Sequence, residues 1–172
     1  MTQSSAIPVI ETLRLKLRGP VEADLPAMVA FGLSDRMVYI GGTVTEEETR
    51  EIFDSTLKGW AVRGYSRWNI ELRETGEVIG RCGINHPFDY PDPEIGWVLF
   101  EGFEGQGYAF EAAVAALAYG RSTLNHKGIV SLIHPENIRS KRLATRLGGR
   151  FGKMGEIVGD TMEVWYYPDA AA

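Results

Sequence analysis

The sequence predicts an α/β domain of the α+β type, with helices packed on a mixed, mostly antiparallel sheet. Three observations carry this. Apolar alternation with a period of two opens the chain, several stretches carry helix start signals followed by apolar stripes, and three strand-like segments follow one another between residues 66 and 100 with no helix between them. The last point counts against a regular βαβ series, and so against a doubly wound dinucleotide fold. With 172 residues, 44% of them hydrophobic, a single domain is expected over 1–172, its core spanning about 11–168.

In chain order, ETLRLKLRG (11–19) alternates Leu13, Leu15 and Leu17 with charged residues and predicts a half-buried strand. Pro20 leads into EADLPAMVAFGL, expected to be helical with Pro26 in its first turn. Thr45 and Glu48 fit a capping box ahead of a second helix, whose stripe is Ile52, Phe53, Leu57 and Trp60. SRWNIELR, GEVIGRCGINH and PEIGWVLF predict three strands, the first two joined by the turn Glu74-Thr75-Gly76-Glu77. A glycine-rich turn then opens a helix reaching about Arg121. KGIVSLIH is a strand, and NIRSKRLATRLGG is a short helix with Asn137 as its N-cap and Gly148-Gly149 at its end. RFGKMGEIV and DTMEVWYYP close the chain as a hairpin. The order is therefore β-α-α-β-β-β-α-β-α-β-β.

The net charge of −5 excludes a generally basic nucleic-acid surface. Cys82 is the sole cysteine, so no internal disulfide can form and a reducing compartment fits. The first residues lack a secretory signal, and no apolar run approaches the roughly 18 residues that span a bilayer. A cytoplasmic protein with no nucleic-acid or membrane partner is expected; the sequence is compatible with a homodimer. His86, His126 and His134 have no metal-ligand spacing, and no metal site is expected.

Two motifs stand out. In EGFEGQGYAFEAA, Gly102, Gly105 and Gly107 precede a helix in which Ala109, Ala112, Ala113, Ala116 and Gly120 share one side, so that it can pack close to the sheet. The spacing is neither the dinucleotide G-x-G-x-x-G nor a P-loop. It allows two readings: a tight strand–helix connection, or a cradle of backbone N–H groups for a large anion at a helix N-terminus. In the second motif, IHPENIRSKRLATRLGG, Asn137, Ser140 and Ala144 line up on one side. The Ser140 hydroxyl either bonds back to its helix or meets a ligand. The cations Arg139, Lys141, Arg142 and Arg146 form a solvated face or a phosphate partner.

Taken with ETLRLKLRGPVEADLPAM, RETGEVIGRCGI and PEIGWVLFEGFEGQGYAFEAA, these motifs in this order resemble the GNAT family (Gcn5-related N-acetyltransferases) over nearly the whole chain, and in particular its ribosomal-protein N-terminal acetyltransferase-like (RimJ/RimL-like) branch. The resemblance implies the GNAT acyl-CoA N-acyltransferase fold and acetyl-CoA as co-substrate. The family's Q/R-x-x-G-x-G/A loop falls on residues 104–109, so Gly105, Gln106, Gly107, Tyr108 and Ala109 would hold the pyrophosphate. Glu104 stands where a donor is usual. The family's fourth strand maps to Trp97, Val98, Leu99 and Phe100, along which the pantetheine arm would pair. Asn137 and Ser140 match the branch's N-x-x-S motif near the thioester, and Arg142 or Arg146 would meet the adenosine phosphates.

The function so implied is transfer of the acetyl group from acetyl-CoA to a primary amine, either a protein N-terminus or a small amine, by direct attack in a ternary complex. The alternative is a non-catalytic acyl-CoA-binding module. A lysine amine costs roughly 4–5 kcal/mol to neutralise at pH 7 and an α-amine only about 1, so an α-amine needs little help from a base. Glu94, which strand alternation puts on one side with Gly96 and Val98, is the base candidate, read against a plain strand-end carboxylate. Many family members carry a tyrosine acid seven residues after the Asn; here that position is Ala144, which leaves Ser140 to hydrogen-bond the leaving thiolate, with Tyr108 second. A backbone N–H near Val98 would meet the oxyanion. An acidic lip of Glu46, Glu47, Glu48, Asp89 and Asp92, if those loops converge, would favour a cationic acceptor.

Overall fold

The computed structural model describes residues 6–168 apart from 87–89, 124, 126–127 and 158. Eight strands form one sheet in the order β1-β2-β3-β4-β5-β6-β8-β7. They are β1 (Ile10–Glu11), β2 (Leu15–Arg18), β3 (Arg67–Leu72), β4 (Val78–Asn85), β5 (Glu94–Leu99), β6 (Val130–Ile133), β7 (Arg150–Ile157) and β8 (Asp160–Tyr166). The helices are α1 (Leu25–Gly32), α2 (Glu46–Arg63), α3 (Tyr108–Ser122) and α4 (Ile138–Arg146). All pairings are antiparallel except β5 with β6. This is the mixed, mostly antiparallel α/β architecture expected.

The segment expected as one strand over 11–19 is broken. Thr12 N–H donates to Leu15 O at 2.9 Å and turns the chain, so Leu13 is 86% exposed while Leu15 and Leu17 enter the core. Short 3-10 helices at Glu22–Asp24 and Asp35–Tyr39 also lie outside the expected order. The second helix follows its signals closely. Thr45 Oγ1 accepts from Glu48 N at 3.2 Å, the Glu48 carboxylate accepts from Thr45 N at 2.7 Å, and Gly64 at φ 75° ends the helix.

One face of the sheet packs on α3, where Ala112, Ala113 and Ala116 have no exposed surface and let the helix lie against Ile70, Cys82, Ile84 and Ile95. Burial pushes the Cys82 thiol up to about 12, which leaves it an inert core group. The other face packs on α1 and α2 through Leu25, Met28, Phe31, Phe53 and Phe100. A buried polar cluster pins α1 there. Asp24 accepts both terminal nitrogens of Arg18 at 2.8 Å, Asn69 Nδ2 at 2.7 Å and Val21 N at 2.9 Å. Gly83 in β4 has no room for a side chain: a Cβ would lie 2.5 Å from Ser66 O and 2.6 Å from Arg67 Cα, both backbone atoms. Gly83→Ala is expected to cost about 1–3 kcal/mol, read as a lower urea midpoint at unchanged slope.

Candidate active site

β5 and β6 start as parallel neighbours and then part. Glu94 pairs with Val130, and Val130 N–H donates to Pro93 O at 3.0 Å. One step on, the Ser131 hydroxyl takes over, donating to Ile95 O at 2.8 Å and accepting from the Tyr167 hydroxyl at 2.7 Å. Beyond that β6 follows β8, with Leu132 opposite Val164 and Ile133 opposite Glu163, and a cleft of about 190 Å³ opens between β5 and β6.

The register decides which groups face this cleft. Phe100 N–H donates to Ile79 O at 2.7 Å, and Val98 and Gly96 lie opposite Arg81 and Gly83. The main chains of Gly96, Val98 and Phe100 are thus turned towards β4, and those of Trp97 and Leu99 towards the open edge. For the oxyanion donor expected near Val98, the register turns the Val98 N–H into the β4 ladder and leaves the amides of its neighbours Trp97 and Leu99 facing the open edge.

Side chains from both faces converge. Glu94, Gly96 and Val98 point to the α1–α2 face, as alternation required, and line the cleft with Arg67 of β3, Arg81 of β4 and His134. Arg67 crosses above Gly96 to reach Glu94, with Nη2 to Oε2 at 3.7 Å. Burial pushes the Glu94 carboxyl above the usual carboxylate range, while the Arg67 charge and the Leu132 backbone N–H hold it back. On the α4 side, Asn137 caps the helix by accepting from Ser140 N at 3.2 Å. Ser140 does not bond back to its helix; its Oγ accepts from Trp97 Nε1 at 3.3 Å and keeps its own proton to give.

β5 runs directly into the glycine turn. Gly102, Gly105 and Gly107 all have positive φ, and Gly107 at φ 83° is the N-cap of α3, with no side chain closing the helix end. The first-turn amides are therefore available to an anion. Arg14 braces this turn: it donates to Gln106 O at 2.9 Å, lies 4.5 Å over the Tyr108 ring and pairs with Glu111 at 2.7 Å. Burial alone would raise Glu111, but Thr12 and Arg14 donate to it and hold its carboxyl below the usual range. It is an anchor for the turn. Glu104 accepts from Gly102 N at 2.9 Å and pairs with Arg36 of the 3-10 segment at 35–39. Arg146 stacks 4.3 Å from the Phe110 ring, and Arg142 is exposed with no partner among the described residues.

Three arginines at this cleft and turn, Arg36, Arg67 and Arg81, were not singled out from the sequence. Arg81 carried a legible signal, a charge between Gly80 and Cys82 in an otherwise apolar strand. Of the expected acidic residues, Glu48 lines a second cavity that shares Arg67 with the cleft, and Glu46, Glu47 and Asp92 line neither. Asp89 and His126 lie outside the described residues. No group of three metal-ligating side chains is found among the described residues, and no helix there is long and apolar enough to cross a membrane.

The sheet splits beside a strand that leads into an uncapped helix, and comparison with known proteins assigns this arrangement to a family. The model of the acetyltransferase (GNAT) domain matches residues 14–150, and the chain belongs to the GNAT family of acetyltransferases. It is similar to an acetyltransferase from Agrobacterium tumefaciens of known structure, at 39% identity and TM-score 0.87, over 94% of this chain and 95% of that one. It is 33% identical over 142 residues to the uncharacterized N-acetyltransferase YnaD of Bacillus subtilis, covering 82% of each chain. A Salmonella typhimurium acetyltransferase that modifies the N-terminal serine of a ribosomal protein shares the fold, with TM-score 0.74 at 22% identity over 93% of this chain and 97% of that one.

Proposed function

We propose that this acetyltransferase moves the acetyl group of acetyl-CoA onto a primary amine by direct attack within the β5–β6 cleft. The observation that carries the reading is the free edge of β5 running into the uncapped start of α3. An extended amide-bearing arm can pair with the Trp97 and Leu99 main chains as an added strand, while the pyrophosphate meets the amides of Gly105, Gln106, Gly107, Tyr108 and Ala109. Arg36, held by Glu104, supplies beside this turn the positive charge that the 104 position lacks, and Arg142 is free to meet the adenosine phosphates. Acetyl-CoA supplies the activated acyl group. Glu94 takes the amine proton, a Trp97 or Leu99 N–H donates to the thioester carbonyl oxygen, and Ser140 donates to the departing sulfur. The motifs shared with the ribosomal-protein branch support an α-amine or similar amine as acceptor.

Thermal shift tests the cofactor half of this. Acetyl-CoA and CoA at about 100 times the dissociation constant should add about 2.7 kcal/mol of stability, with no rise from ATP or NAD. A shift with ATP or NAD and none with CoA would overturn it.

A further inference from the structure

The ionisable groups of the cleft do not balance. Its lining carries two guanidinium groups, Arg67 and Arg81, against one carboxylate, Glu94. Arg67 shares its charge with Glu94 at 3.7 Å, but no carboxylate among the described residues lies within 4 Å of Arg81, and the Nε atoms of both arginines are buried without a hydrogen-bond partner. Burial, with the neighbouring Arg67 charge, pulls Arg81 down to about 9. A guanidinium keeps its proton in proteins, so the imbalance stands as an uncompensated cost of holding the charge there. Both arginines sit on the α1–α2 face, where Arg67 is opposite Gly83, itself opposite Gly96, and Arg81 is opposite Val98. Gly96 leaves room on that face: a Cβ there would meet only the Arg67 and Glu94 side chains, at 3.6 Å and beyond. An incoming ammonium would add a further positive charge to this surplus.

On the reading of the cleft as the acetyl-transfer site, we infer that the acceptor is a small amine bearing a carboxylate a few bonds from its nitrogen, with Arg67 and Arg81 holding the carboxylate while Glu94 faces the amine. A planar carboxylate fits two guanidinium donors, which it would meet through the nitrogens that reach the cleft. The cofactor's phosphates do not meet this need, because its thioester end is uncharged and the glycine turn lies at the far end of β5, roughly 15–20 Å from Glu94 for a six-residue strand. The short distance between Arg67 and Glu94 sets the spacing of anion and amine. A protein N-terminus, whose α-carbon carries an amide in place of a carboxylate, does not supply it.

The test is acetyl transfer at saturating acetyl-CoA, with an equimolar pool of free L-amino acids competing against the same amino acids as C-terminal amides and against a peptide with a free N-terminus. Products are counted by mass spectrometry. The expected result is at least a tenfold excess of N-acetyl amino acids over acetylated amides and peptide, and a ratio falling towards one in Arg81→Gln and in Arg67→Gln, with Arg81→Lys restoring part of it. Acetyl-CoA thermal shift in each variant shows that the fold and the cofactor site persist. Equal or preferred acetylation of amides or peptide overturns the inference, as does a ratio unmoved in both glutamine variants, or no product from any pool while acetyl-CoA still binds. Loss of the acetyl-CoA shift in the parent protein is a different failure, and would remove the acetyl-transfer reading itself.

Discussion

Replacing Glu94 with glutamine is expected to lower kcat by about tenfold near pH 7, in line with the ~1 kcal/mol that an α-amine costs to neutralise, while leaving the thermal shift from acetyl-CoA intact. Glutamine keeps the size and can still accept from the Leu132 N–H, but it cannot take a proton. The pH profile gives the sharper readout. Burial raises the Glu94 carboxyl, and Arg67 with the Leu132 N–H only partly offset this, so the acid limb of kcat/KM should lie above the ordinary value of 4.5. In the variant that limb should vanish. A variant that retained full turnover, or lost acetyl-CoA binding along with it, would show that Glu94 is a structural carboxylate at a strand end.

The second large effect concerns stability. Asp24→Ala should cost about 3–5 kcal/mol, because Asp24 is 4% exposed and its removal leaves Arg18 and Asn69 without their shared acceptor. For a chain of this size that is a drop of roughly 6–20 °C in Tm. Burial by itself would raise the Asp24 carboxyl, but donation from Arg18, Val21 N and Asn69 outweighs it and holds the group below its ordinary 3.8. A depressed carboxylate contributes stability that is complete above its unfolded value and is lost as the pH falls towards its folded one. The parent protein should therefore lose its advantage over Asp24→Ala below about pH 4. Parallel acid melts of the two would check this; an advantage that persisted undiminished would show that the carboxylate's ionisation is not what stabilises α1.

Most of the fold was legible because its signals are local. Thr45 with Glu48, Asn137, the alanine face of α3 and Gly148 each act within one or two turns of helix, and each sits where its chemistry requires. The same locality explains the failure at Leu13. Alternation across 11–19 is genuine, but the turn closed by Thr12 and Leu15 is set by Glu111, which accepts from the Thr12 hydroxyl at 2.6 Å across 99 residues. Site elements were legible where a main chain or helix start is used, as at Gly107, Asn137 and Ser140. Arg36, Arg67 and Arg81 were not, because their meaning comes from register: Arg81 reads as an oddity in one strand and acquires neighbours only when Asn69 and Val98 flank it. Which amide near Val98 faces the cleft was not legible for the same reason. Which edge an N–H serves is a parity set by the partner strand, and one residue of difference reverses it.

The parting of β5 from β6 has a consequence for the order of assembly. One wall of the cleft, β6, has its longer pairing with β8 at residues 160–166, so that wall is held in place from the carboxyl-proximal part of the chain, while β5 is held by β4 from the middle. The hairpin of β3 and β4 and its extension to β5 join segments close in sequence and can form early. A chain that has emerged only as far as α4 has β6 without its antiparallel neighbour, and Ser131 without the Tyr167 hydroxyl that fixes it. The gap between β5 and β6 thus depends on residues 160–166, since one of its walls is complete only with β8 paired to β6.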